Sequence, residues 1–155
     1  MNGEVIFVII GGIIGFASSY FMWKVQTRYE QKNVARALHM ELSSLEDRLK
    51  AFAGAFMNPP SGVGRDAPVK INQPFYAEGL FFSFRKEISS FNKELSNSLF
   101  QFYMHLLTAE QFRQVGETDM FFKPLNDAMK DNIVKAYRLL PDLKKLLEKE
   151  LKGRA

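Results

Sequence analysis

Apolar and polar positions along this chain fall into three regimes, and each predicts a different kind of element. From Val5 to Trp23 the chain runs for 19 residues without a charged side chain. As an α-helix that run rises about 28 Å, close to the roughly 30 Å of a bilayer's hydrocarbon layer. The pattern predicts a transmembrane anchor over 5–23, preceded by a short extracytoplasmic N-terminus over 1–4. Glu4 is the one charge before the run, whereas Lys24, Arg28, Lys32 and Arg36 follow it. Positive charge is retained on the cytoplasmic side, so the expectation is a single-pass membrane protein with its N-terminus outside and its C-terminal domain in the cytoplasm. Tyr20, Trp23, Lys24 and Arg28 are the expected anchors at the membrane interface. A cleaved signal peptide would need a basic start and a shorter apolar core, and here the start is acidic.

From residue 24 the pattern becomes amphipathic without a break. Ala35, Leu38, Leu42, Leu45, Leu49, Phe52 and Phe56 alternate spacings of three and four, which puts them on one stripe of a helix over 24–57 continuous with the anchor. Such a stripe must be covered, either by other helices of the same chain or by a partner, and Leu38, Leu42, Leu45, Leu49 and Phe52 are its candidate interaction residues. A parallel homodimeric coiled coil is disfavoured. It would set Glu41 against Glu46 of the second copy with no opposite charge to offset the pair.

Residues 58–79 hold six Pro and Gly residues before Gly79 closes the stretch, and predict a long connecting loop. Gly62-Val63-Gly64 lacks a third glycine and a Lys-Ser/Thr pair, so no phosphate cradle is expected there. Beyond the loop, residues 80–155 read as the remaining helices of a bundle. Phe81, Phe84, Ile88, Phe91, Leu95, Leu99, Phe102 and Leu106 suggest a second long helix starting near Leu80. Thr108 to Gln111 has the form of a capping box and suggests a restart. A third helix from Asp119 should break or kink at Pro141. A basic amphipathic stretch over 142–152 should close the bundle.

The fold class expected is therefore all-α: an N-terminal transmembrane helix running into an antiparallel helical bundle of three to four helices. Composition narrows the function. The net charge of +4 is spread over segments in which acids and bases alternate, so no nucleic-acid partner is expected. With no cysteine, thiol chemistry, disulfides and Cys-based metal centres are excluded. His39 and His105 each stand without a second His or an acid at ligand spacing, so no metal, cofactor or catalytic residues are assigned. Gly11, Gly15 and Ser19 recur every fourth residue, a face on which another helix can approach closely, although glycine is common in such segments anyway. What remains is an adaptor or accessory subunit that works through protein–protein contact, with the lipid bilayer and another membrane protein or complex as partners. The alternatives are a protein of the lipid surface, or a sensor or enzyme with a pocket inside the bundle. A homo-oligomer stays open.

Overall fold

The computed structural model describes residues 2–58, 74, 76, 80–118 and 123–153, with side chains from residue 14 onward except 116–118, 123 and 124. Every regular element among them is helical: α1 (Asn2–Met57), α2 (Leu80–Ser83), α3 (Arg85–Ile88), α4 (Lys93–Thr118) and α5 (Lys123–Lys152). The long α1 follows from its sequence, which has no proline and places its apolar residues at helical spacing.

Three ties show how the chain returns after α1. Arg48 donates to the Pro74 carbonyl (2.7 Å), the Leu80 N–H donates to Glu41 Oε1 (3.3 Å), and Gln31 Nε2 donates to Ser90 Oγ (2.7 Å). As the residue number rises along the return segment it falls along α1, so this segment runs back down α1 as a strap. Tyr76, Phe81, Ile88 and Phe91 of the strap are buried in the core. The chain then reverses at Ser89–Asn92. Asn92 Oδ1 accepts from the Leu95 N–H (2.8 Å) and caps the start of α4.

The helix expected from Leu80 to Leu106 is thus two short helices and a separate long one, because Ser89, Ser90 and Asn92 satisfy backbone groups locally and end the first run. Continuity fails in the other direction at Thr108. There α4 carries on, since Ala109 and Glu110 are buried and packing keeps the chain helical. Pro141 likewise sits inside α5 without ending it. Its ring is exposed, and Leu140 and Leu143 on either side are fixed in the core. Tertiary packing holds a turn that proline alone disfavours by about 3 kcal/mol.

Cross-helix pairs fix the directions. His39 with Glu148 and Glu46 with Lys144 make α5 antiparallel to α1, and Asn92 with Glu150 and His105 with Asn132 make it antiparallel to α4. Helices α1 and α4 consequently run the same way, joined at Glu41 and Tyr103. This parallel pair is what a strap returning the chain to its starting level produces, and it departs from a simple alternation of directions. The core is one cluster to which all three long helices contribute, with Leu38, Leu42, Leu99, Phe102, Ile133 and Leu147 fully enclosed.

Only part of α1 lies in the bundle. Its 56 residues extend about 84 Å, against about 39 Å for the 26 residues of α4 and 45 Å for the 30 of α5. Gln31 is the first buried residue, and all described side chains before it are exposed except the half-buried Thr27. The N-terminal half of α1 projects from the bundle as an arm.

The expected membrane anchor is not supported. Among the described residues no helix is long and apolar enough to cross a membrane. The apolar stretch whose side chains are described runs from Ile14 to Trp23, ten residues rising about 15 Å before Lys24, against about 30 Å of hydrocarbon. The side chains of Val5 to Ile13 lie outside the described residues. A single-pass membrane placement with the N-terminus outside is not supported, and the orientation argument drawn from Glu4 and the bases after Trp23 loses its premise. The fold is all-α, as a helical bundle.

Candidate functional site

Among the described residues, eight of the exposed large hydrophobic side chains fall on the arm, between Ile14 and Tyr29. A helix buries its apolar residues where a neighbour is present, and from Gln31 onward α5 and the strap cover the inner face of α1. Ahead of Gln31 nothing among the described residues covers it. Phe16 is 76% exposed, Phe21 66%, Trp23 62% and Tyr29 67%, and Ile14, Tyr20, Met22 and Val25 are exposed beside them. These side chains point to all sides of the helix. The Tyr20 and Trp23 rings sit 6.0 Å apart, tilted by 37°. Aromatic side chains leave water with a large gain in free energy and a small loss of rotamer freedom, which is why they dominate interface anchors.

Of the expected small-residue face, Gly15 and Ser19 lie exposed on this arm, and the side-chain position of Gly11 falls outside the described residues. A Cβ built on Gly15 meets nothing within 4 Å. Gly15→Ala is therefore expected to keep the isolated chain folded and to stabilise the arm helix by up to about 1 kcal/mol, the propensity difference between the two residues. Helix content by circular dichroism reads this, and a loss of helicity would show that Gly15 is needed for a close approach. Lys24 and Arg28, expected as interface anchors beside Tyr20 and Trp23, stand exposed with them.

The stripe Leu38, Leu42, Leu45, Leu49 and Phe52 lies elsewhere. The first four are buried in the core, and Phe52 is packed half-buried against it. The chain's own α5 and strap occupy the face that a partner would need.

Below the arm, polar groups meet at one point that sequence reading did not single out. Tyr103 Oη donates to Glu41 Oε2 (2.7 Å) while the Leu80 N–H donates to Glu41 Oε1, so one carboxylate ties α1, α2 and α4 together. Phe81 stacks on Tyr103 with centroids 4.5 Å apart, and Tyr76 lies 5.4 Å from the same ring. Burial pushes the Glu41 carboxyl above its ordinary value, outweighing the two hydrogen bonds that favour its ionised form. Burial also pushes the Tyr103 hydroxyl far upward, with the Glu41 charge and its hydrogen bond adding to it. At neutral pH Tyr103 is thus a permanent donor. The helical period placed Tyr103 next to Phe102 on α4, but nothing local announced a partner 62 residues away.

His105 has a structural partner as well. Asn132 Nδ2 donates to the Ala128 carbonyl (2.8 Å), which leaves Oδ1 as acceptor for an Nδ1–H on His105 at 2.8 Å. His39 Nε2 lies 3.8 Å from Glu148 Oε1 across the α1–α5 seam. Glu110 and Arg113, both nearly buried, pair at 2.6 Å on α4. Among the described residues no group of three His, Cys, Asp or Glu side chains is placed to hold a metal ion. A depression lined by Lys145, Glu148, Lys149, Lys152 and Gly153 lies at the end of α5, open on the surface with no apolar side chain in its lining. The loop residues Arg65, Asp66, Lys70 and Glu78, and Gly62-Val63-Gly64, lie outside the described residues.

A second, smaller apolar patch is formed by exposed Phe82, Phe100 and Met104, where α2 meets α4. It is a single cluster at the edge of the core, whereas the arm is apolar along more than two turns. Compared with known proteins, the chain matches no family model, no curated protein and no solved structure, so the arm and the Glu41 junction are interpreted from their own chemistry.

Proposed function

We propose that this protein is a non-enzymatic adaptor or accessory subunit, in which a self-contained helical bundle carries an apolar arm that docks into a partner protein. One observation carries the reading: from Gln31 onward one face of α1 is buried in the bundle, whereas the described side chains before it are exposed apart from the half-buried Thr27, with five aromatic side chains from Phe16 to Tyr29. A helix apolar all round is stable in water only when something else surrounds it. The polar groups of the bundle support the same reading, since Glu41, Tyr103, His105 and Asn132 are engaged in holding helices together.

The test is affinity purification of the tagged full-length chain beside Phe21→Ser/Trp23→Ser. Both side chains are exposed, so the double variant should melt within a few degrees of the parent. Its affinity for the captured partner should fall by roughly a thousandfold, as expected for removal of two interface anchors worth about 2 kcal/mol each. Unchanged capture would refute the arm as the docking element. The competing lipid-surface reading would draw on Tyr20, Trp23 and Lys24, so vesicle binding belongs in the same experiment. Vesicle binding with no protein captured would replace the adaptor reading.

A further inference from the structure

The arm carries a feature that its apolar character does not explain. Lys24, Arg28, Lys32 and Arg36 follow at intervals of four, so they form one column along α1. Lys24, Arg28 and Arg36 are exposed and Lys32 is half-buried. No ion pair involves any of the four among the described residues. Arg36 Nη1 reaches only the neutral amide of Asn33, at 3.4 Å, and the nearby Glu30 carboxylate accepts from Gln26 at 3.0 Å. Like charges one turn apart destabilise a helix, and this column repeats that contact three times. The arrangement is unfavourable in the isolated chain and becomes favourable when negative charge is laid along it.

Geometry narrows what that negative charge belongs to. The column is inclined to the helix axis, rising about 6 Å and turning about 40° at each step of four, so that it rises about 18 Å and turns about 120° from Lys24 to Arg36. A second helix crossing α1 at about 50° lays its own row of residues four apart along this one, at the same interval. A nucleic acid would call for a broad basic face, and here Glu30 stands within the same turns. We propose that this column, with Tyr20 and Trp23 at its upper end, docks an acidic α-helix of a partner protein that presents Asp or Glu at every fourth position. The inference rests on the adaptor reading and deepens it: the arm supplies apolar contact and the column supplies register and charge selection.

The single tryptophan of the chain, Trp23, sits at the end of the column and reports binding through its emission. The probe is a synthetic helical peptide with Glu at four successive fourth positions and Leu on the adjoining face, beside its Glu-to-Lys counterpart. Full-length protein should bind the Glu peptide, more weakly as salt rises, and prefer it to the Lys peptide. In Arg28→Glu/Lys32→Glu the preference should invert, with the Glu peptide bound about tenfold more weakly or worse, while the melting temperature holds or rises because two of the three like-charge contacts become opposite-charge pairs and only that between positions 28 and 32 stays repulsive. Binding of the Glu peptide that is absent, or indifferent to the reversal, overturns the inference. So does column-dependent binding to anionic phosphatidylserine vesicles without peptide binding. If Arg28→Glu/Lys32→Glu still captures the cellular partner while Phe21→Ser/Trp23→Ser does not, the column falls and the adaptor reading stands.

Discussion

Leu42→Asp is expected to unfold the bundle. Leu42 has no exposed surface and lies in the core cluster midway along the enclosed part of α1. An aspartate there would lose the apolar contacts of leucine and bury a carboxylate with no donor in reach. An isolated charge in such a site costs several kcal/mol even after it takes up a proton, and a domain of this size is stable by about 5 to 15 kcal/mol in all. The variant should show no cooperative melt at 25 °C or should melt far below the parent. Phe21→Asp on the arm is the control, and it should melt within a few degrees of the parent because Phe21 is 66% exposed. A cooperative melt for Leu42→Asp close to that of the parent would show that the stripe is open to a partner, and the enclosed bundle described above would be wrong.

Tyr103→Phe should have the next largest effect on stability and should also change its pH dependence. The ring remains, so stacking with Phe81 is kept, but Glu41 loses its closest donor. Leaving a partly buried carboxylate short of a charge-assisted hydrogen bond costs about 1–3 kcal/mol. The sign with pH follows from the direction of the Glu41 shift. Its folded pKa is raised above the ordinary 4.5, so between those two values the folded chain holds a proton that the unfolded chain has released. Stability is therefore full below pH 4.5 and declines as pH rises through the raised value, then levels off. Tyr103→Phe removes a bond that favours the ionised form, so it should raise the folded pKa further and steepen the decline. Glu41→Gln removes the titration and should flatten that part of the curve, while its amide oxygen can still accept from Tyr103. Denaturant melts from pH 4 to 8 measure all three. A decline of the same size in Glu41→Gln and in the parent would place its origin elsewhere.

Reading the sequence alone recovered the elements whose evidence is local. Helical period from Ala35 to Phe56, a proline-rich break after Asn58, and apolar residues at helical spacing beyond Leu80 were enough for an all-α chain with a long first helix. The same local evidence misled wherever two signals of similar strength competed. The apolar period from Phe81 to Leu106 is continuous in the sequence, yet Ser89, Ser90 and Asn92 interrupt it with hydrogen bonds that the period cannot register. Thr108 and Pro141 carried stop signals worth a few kcal/mol at most, and burial of Ala109, Leu140 and Leu143 exceeded them.

The candidate site divides in the same way. That residues 14–29 are rich in aromatic and aliphatic side chains, and that four bases follow every fourth position, is set by the sequence itself. Whether those residues are covered depends on where α5 ends and where the strap turns, since the level of Gln31 separates enclosed from exposed α1 through contacts with Ser90, 59 residues further on. The stripe at Leu38 to Leu49 is apolar on one face and the arm through Trp23 on all sides, yet it is the placement of α5 and the strap against α1 that makes the first a core and leaves the second a surface. The tie between Glu41 and Tyr103 belongs wholly to the tertiary structure. A parallel α1 and α4 brings it about, and that direction is decided by the strap, whose ties to α1 join residues 26 to 59 positions apart and leave no periodic trace in the sequence.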